Sequence, residues 1–121
     1  MIEVEKQFLP TEYQLKTLLE GAQFMGEKMD HDIYYDYADY QLFKKDIRLR
    51  NRNGFFELKI GKSSGVSEEI QVKEDIKKYF SVENLELFVQ TNLIVIVDYR
   101  TKRKKYKKED FNISVDEMSF G

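Results

Sequence analysis

Asp46-Ile47-Arg48-Leu49-Arg50-Asn51-Arg52-Asn53-Gly54-Phe55-Phe56-Glu57-Leu58-Lys59-Ile60 holds two alternating runs joined by a turn signal. From Asp46 to Arg52 the apolar residues Ile47 and Leu49 share one face of a strand, and Arg48, Arg50 and Arg52 share the other. Asn-Gly is the strongest short hairpin signal, because both residues tolerate the positive φ that a tight turn demands. Phe55 to Ile60 is then the returning strand. A two-residue loop sets Arg52 opposite Phe55, Arg50 opposite Glu57 and Arg48 opposite Lys59. Directly opposed residues share a face, so Arg48, Arg50 and Lys59 form one cationic patch. Like charges facing each other across a ladder cost from a few tenths to about 1 kcal/mol. Two readings are open here: a solvated face whose long side chains splay into water, or an anion site gripped by guanidinium forks and an ammonium.

Working outward, Ile2 to Phe8 alternates as a strand and Pro10 stops it. Thr11 is a candidate N-cap for a helix whose stripe is Tyr13, Leu15, Leu18 and Leu19, with Gly21 as the stop. Residues 23–35 alternate loosely and end in a strand at Ile33 to Asp36. Tyr37 to Lys45 is a loop or a short helical turn. Gly61 to Ser67 is a loop and Glu68 to Glu74 a strand. Asp75 to Asn92 is helical in two pieces broken near Ser81, which starts a capping-box pattern with Glu83 or Asn84. Leu93 to Lys104 is a long strand, Lys104 to Asp110 a turn, and Phe111 to Met118 the last strand. Short connections between neighbouring strands favour antiparallel pairing. The expected class is α+β: an antiparallel barrel or strongly curved sheet with two helical excursions.

The 121 residues make a single domain, residues 1–121. With 41% hydrophobic residues, nine phenylalanines and eight tyrosines, the chain can fill an ordinary core. It has no cysteine, which excludes disulfides, thiolate metal sites and a cysteine nucleophile. Met1 leads into a charged strand with no signal peptide, and the longest apolar run, Leu93 to Val97, is too short to span a bilayer. These features fit a cytoplasmic protein with no membrane partner. A net charge of −2 argues against general nucleic-acid binding. The basic run Lys102 to Lys108 reads as a solvated turn, and His31, the single histidine, as an ordinary polar residue. No glycine-rich phosphate loop and no nucleophile, histidine and acid set is present.

Acids stand on the polar faces of the other strands. Glu3, Glu5 and Gln7 share one face, and two stacked carboxylates repel unless a cation lies between them. If Ile70 and Val72 face the core, Glu69 faces the polar side, and Asp116 stands opposite Ile113 and Val115. Hard oxygen ligands of this kind suit Mg²⁺ or Mn²⁺. Acids on one wall, with Arg48, Arg50, Lys59 and a base from Arg100 to Lys105 on another, describe a metal–polyphosphate site.

These residues resemble, in order and along nearly the whole chain, the CYTH superfamily of triphosphate tunnel metalloenzymes. Ile2-Glu3-Val4-Glu5 with Phe8-Leu9-Pro10 is similar to its opening Glu-x-Glu-x-Lys signature. Tyr34-Tyr35-Asp36, Ile47-Arg48-Leu49-Arg50, Glu57-Leu58-Lys59, Thr101-Lys102-Arg103 and Val115-Asp116 to Gly121 are similar to its later strands. The nearest flavour is the thiamine-triphosphatase branch. The resemblance implies an eight-stranded antiparallel tunnel that hydrolyses an inorganic triphosphate, or an organic one such as thiamine triphosphate, with Mg²⁺ or Mn²⁺. It also implies roles. Glu3, Glu5 and Asp116 would hold the metal, while Arg48, Arg50, Lys59 and Arg103 would grip phosphates. Glu3, Glu5, Lys59 and Glu69 would be the catalytic set. The alternatives are a non-catalytic polyphosphate or nucleotide module and a class IV adenylyl cyclase-like activity. Three departures stand out. Gln7 replaces the signature lysine, and Lys6 points to the opposite face. The thiamine-stacking tryptophan, expected near Asp46, is absent. The chain ends at Gly121 where the family carries further strands, so a C-terminally truncated domain is expected, with open sheet edges that invite pairing with a second chain.

Overall fold

In a computed structural model, residues 2–3, 11–62 and 65–120 are described, residues 2 and 3 by backbone alone. The elements in chain order are β1 (Ile2–Glu3), α1 (Glu12–Leu19), β2 (Gln23–Asp36), α2 (Gln41–Lys44), β3 (Ile47–Arg52), β4 (Phe55–Gly61) and β5 (Ser67–Ile70), then α3 (Lys73–Phe80), α4 (Leu85–Asn92), β6 (Ile94–Lys108) and β7 (Phe111–Phe120). The sheet order is β1-β7-β6-β2-β3-β4-β5. Mixed α and β structure around an antiparallel sheet agrees with the class expected from sequence. Closure does not: among the described residues β1 and β5 are the two ends of an open sheet, because no strand pairs with the outer edge of β5. Among the described residues β1 pairs in parallel with β7, Ile2 opposite Phe111 and Glu3 opposite Asn112.

The chain forms two compact units, Met1–Met29 with Thr101–Met118 and Asp30–Arg100 with Ser119–Gly121, and β2 and β6 run through both. In the first unit, Thr11 caps α1 as its sequence position requires. Its hydroxyl accepts from the Gln14 N–H at 3.1 Å, and its own N–H donates to the Gln14 side chain at 2.9 Å. This reciprocal box satisfies two donors that a helix start leaves open. The β6–β7 hairpin turns at Glu109-Asp110, where Glu109 takes φ +55°. The expected turn from Lys104 onward is therefore strand down to Lys108.

The second unit holds the core: Leu42, Ile47, Leu49, Leu58, Ile76, Leu85, Val89 and Leu93. Leu49 and Leu58 are directly paired across β3 and β4, and both are fully buried. Burial of a leucine stabilises by roughly 1.5–3 kcal/mol, so this pair anchors the apolar side of the hairpin. The register Arg52–Phe55, Arg50–Glu57, Arg48–Lys59 is the one the Asn-Gly turn dictates. Asn53 and Gly54 both take positive φ, 53° and 92°. Asp36 fixes the corner after β2. It is 1% exposed, and its carboxylate accepts from the N–H groups of Tyr37, Leu42 and Phe43 at 2.7, 2.9 and 2.9 Å.

The expected strand Glu68 to Glu74 is corrected to β5, which ends at Ile70, followed by α3 from Lys73. Glu74 and Asp75 sit in the first turn of that helix, where carboxylates complement its positive end. Ile76 and Phe80, four residues apart, put its apolar side on the core. Val72, expected inside, is 59% exposed. Ser81 ends α3 in the left-handed conformation, and the N-cap of α4 is Asn84, which accepts from the Leu87 N–H at 3.0 Å. The two helical excursions, α1 and the α3–α4 pair, stand, with the short α2 added. No described helix is long and apolar enough to cross a membrane.

Candidate anion-binding site

Strand register builds the site. Asp32 faces Arg52 and Tyr34 faces Arg50 across β2–β3. Arg48 faces Lys59 and Arg50 faces Glu57 across β3–β4, and Lys59 faces Glu69 across β4–β5. The face opposite the leucine core is therefore charged from strand to strand. It forms one wall of a cavity of about 410 Å³, to which Arg48, Arg50, Glu57, Lys59 and Glu69 contribute. Phe43 from α2, Ile96, Val97 and Tyr99 from β6 and Tyr34 from β2 add a mainly apolar lining. This volume falls within the usual range for small-molecule sites.

The cations differ in how far they are already committed. Arg52 forks onto Asp32, Nε to Oδ1 at 2.6 Å and Nη2 to Oδ2 at 2.9 Å. Burial raises the Asp32 pKa, but the hydrogen bonds and charge of Arg52 outweigh it and hold the carboxyl below its usual range. Arg50 donates through Nε to Glu57 Oε2 at 2.7 Å and through Nη2 to the same oxygen, with Tyr34 Oη at 3.5 Å from Nη1. Burial disfavours its charge; the bonds to Tyr34 and Glu57 more than restore it. Tyr99 stacks on Tyr34 with ring centroids 6.2 Å apart, and burial together with Tyr34 and Asp32 pushes its pKa up to about 12.

Arg48 and Lys59 are less committed. The Arg48 guanidinium lies 4.2 Å from the centre of the Phe43 ring and donates to the Ile47 carbonyl at 3.1 Å, with Asp46 no nearer than 3.8 Å. Lys59 makes no ion pair or hydrogen bond with any described residue. Two opposed cations on a cavity wall, without a carboxylate in hydrogen-bond contact among the described residues, are poised for an anion.

Of the residues proposed from sequence, Arg48, Arg50, Lys59 and Glu69 come together here. Glu5, with Gln7 and Lys6, lies outside the described residues, and Glu3 is placed by its backbone in β1. Arg103 and Asp116, expected as a phosphate grip and a metal ligand, fork onto each other at 2.8 and 2.9 Å. That hydrogen bonding holds Asp116 below the usual carboxylate range. No group of three or more acids or histidines stands close enough to hold a metal among the described residues. Asp32, Glu57 and Asp116 each answer a guanidinium instead. The described residues alone do not fit a divalent-metal site. Sequence reasoning missed Tyr34, Phe43, Ile96, Val97 and Tyr99 as cavity walls. The i, i+2 spacing of Asp32, Tyr34 and Asp36 was the available signal for Tyr34, whereas the β6 residues are brought in by non-local pairing.

The CYTH domain family matches residues 1–121. The chain belongs to the CYTH domain family. This CYTH domain is 32% identical over 112 residues to a Methanocaldococcus jannaschii protein provisionally named adenylate cyclase MJ0240. The alignment takes in 87% of the chain, which spans 61% of that relative's length. It is also similar to the solved PH1819 protein of Pyrococcus horikoshii OT3, with TM-score 0.47 and 25% identity over 87% of this chain and 64% of that one. A Hippeastrum structure, described as a provisional adenylyl cyclase with a dominant triphosphatase activity, gives TM-score 0.49 and 16% identity over 92% and 70%. CYTH proteins include triphosphatases and adenylate cyclase-like members, bind triphosphate substrates and use divalent metals.

Proposed function

We propose that this CYTH domain binds a triphosphate in the cavity beside β3 and β4 and hydrolyses its terminal phosphoanhydride in the presence of Mg²⁺ or Mn²⁺. The observation that carries the reading is the Arg48–Lys59 pair, opposed across the ladder and, among the described residues, without a carboxylate in hydrogen-bond contact, Asp46 standing 3.8 Å from Arg48. Phosphoryl transfer needs positioned positive charge on the phosphate oxygens more than it needs covalent chemistry. Arg48 and Lys59 would supply that charge. Arg50, held rigid by Glu57 and Tyr34, would orient the chain of phosphates without itself adding much net charge. Glu69, opposite Lys59, would be a hydrogen-bond acceptor at the cavity wall. Glu3, Glu5 and Asp116 stay the candidate metal-side acids from sequence. An ion at Asp116 would have to displace Arg103. Where the substrate carries an organic group, such as thiamine or a nucleoside, the lining from Phe43, Ile96 and Val97 would receive it.

The test is phosphate release from tripolyphosphate with Mg²⁺ or Mn²⁺, in the unaltered chain and in Arg48→Met and Lys59→Gln. Turnover that falls at least tenfold in both variants supports the reading. Equal turnover in all three proteins refutes it. A second reading, cyclisation of ATP, is favoured by the name of the relative at 32% identity. The products separate the two: cyclic AMP with pyrophosphate, or orthophosphate. A non-catalytic module, favoured by Gln7 in place of the signature lysine, would show a raised melting temperature with tripolyphosphate and no product.

A further inference from the structure

Arg48, Arg50 and Arg52 share one face of β3 but are held in two ways. Arg52 is forked onto Asp32 and Arg50 is bonded to Glu57, so each meets a carboxylate that cancels its charge. Arg48 is held by a ring: its guanidinium carbon lies 4.2 Å from the centre of the Phe43 ring. We infer that Phe43 is a positioning residue for anion binding, holding the Arg48 guanidinium at the cavity wall while leaving its charge uncancelled. The inference rests on the triphosphate reading above and adds the residue that makes Arg48 an available cation.

The fold fixes that ring closely. α2 is a single turn, too short to persist on its own. Leu42, 5% exposed, anchors it in the core. The next residue lies about 100° further round a helix, and Phe43 is accordingly turned away from the core and is 57% exposed. Both backbone polar groups of Phe43 are engaged. Its N–H donates to Asp36 Oδ2 at 2.9 Å, and its carbonyl accepts from the Asp46 N–H at 3.0 Å. Asp36 also accepts from the Leu42 N–H, and so does the work of a cap that Tyr40, with φ 60° and no side-chain hydrogen bond, leaves undone. The ring is thereby tied to a buried carboxylate at the end of β2 and to the residue that precedes β3, in which Arg48 is second.

Stacking suits the task for an electrostatic and a geometric reason. A ring attracts a cation through its quadrupole but carries no net charge, so the guanidinium keeps its full pull on an anion. The stack also uses the flat face of the guanidinium, whereas its N–H donors lie in the plane and point outward. Nη1 donates to the Ile47 carbonyl at 3.1 Å, and a phosphate can be met at the edge with the stack intact. The ring further offsets the repulsion from Lys59, directly opposite. Without it the ligand would have to order a loose, four-carbon-reach side chain on binding, which weakens affinity.

The experiment is calorimetric titration of the full chain with tripolyphosphate, without added metal so that binding is read apart from turnover. Tripolyphosphate has no organic group for the ring to receive, so an effect of Phe43 on it comes through Arg48. Phe43→Leu should weaken binding about fivefold, and Phe43→Trp, which restores a ring, should recover that loss. On an Arg48→Met background, Phe43→Leu should have no further effect, the mark of a coupled pair. The chain has no tryptophan, so Phe43→Trp also supplies a single fluorophore, and its emission without ligand should shift when Arg48→Met is added. Unchanged affinity in Phe43→Leu, a loss that persists without Arg48, or an emission indifferent to Arg48 overturns the inference and leaves the triphosphate reading standing. Failure of tripolyphosphate to bind the unaltered chain removes both. Leu42, not Phe43, carries the burial of α2, so the variants should fold, and melting curves without ligand check this.

Discussion

Arg52→Met removes the partner of a carboxylate that cannot reach water. Asp32 is 1% exposed, and both its oxygens accept from Arg52, at 2.6 and 2.9 Å. Methionine keeps most of the stem volume and deletes the charge and both donors. Removing one partner of a buried ion pair costs roughly 3–5 kcal/mol. Arg52 is 33% exposed, and Arg50 and Tyr99 also act on Asp32, so the cost falls at or just below the bottom of that range, about 2–3 kcal/mol. For a domain of this size that corresponds to a melting temperature lower by about 10 °C. The pH dependence has a definite sign. In the unaltered chain the folded pKa of Asp32 lies below its unfolded value, so its contribution is present above about pH 4 and is lost as pH falls through the folded value. Without Arg52, burial is opposed only by the weaker effects of Arg50 and Tyr99, and the folded pKa rises. The carboxylate then destabilises above about pH 4, and acid relieves the penalty. The gap in urea midpoint between the two proteins should therefore be widest near neutral pH and narrow towards pH 4. Adding Asp32→Leu to the variant should recover most of the loss, because no charge is then left buried. A gap below about 1 kcal/mol, or one that does not change with pH, would refute the reasoning.

Three further outcomes follow from the same geometry. Lys59→Gln should weaken tripolyphosphate binding about tenfold by calorimetry while moving the urea midpoint little, since it breaks no ion pair with a described residue and relieves the facing Arg48; a large drop in midpoint would show a structural role instead. Asp36→Ala should destabilise by about 2 kcal/mol and abolish hydrogen-exchange protection of the Leu42 and Phe43 amides, whose carboxylate acceptor it removes; retained protection would contradict the assignment. Ser81→Gly should stabilise by roughly 0.5–1 kcal/mol, because Ser81 holds φ +57° at the end of α3; a lower urea midpoint would count against it.

The parts legible in the sequence were those governed by neighbours along the chain. The Asn53-Gly54 turn fixed the loop length, and the period of two then placed Arg48, Arg50 and Lys59 on one face with no further information. Thr11 with Gln14 announced the start of α1 in the same local way. Lys73 to Asp75 failed because its charges suit a strand face and a helix start equally well, and only the packing of Ile76 and Phe80 chose between them. Arg103 and Asp116 were read as residues waiting for ligands, yet hairpin register made them partners.

By itself, then, the sequence determined the hairpin, the cationic face and the order of helices and strands, since alternation and turn chemistry act over a few residues. Tertiary structure alone decided which of those charges remain available. Asp32 neutralises Arg52 from 20 residues away and Glu57 neutralises Arg50, while among the described residues Arg48 and Lys59 are left without a carboxylate in hydrogen-bond contact. It also decided that Ile96, Val97 and Tyr99 would close on Tyr34 to make a cavity. Pairing of strands distant in sequence depends on burying the apolar face of the whole sheet, which no single segment encodes.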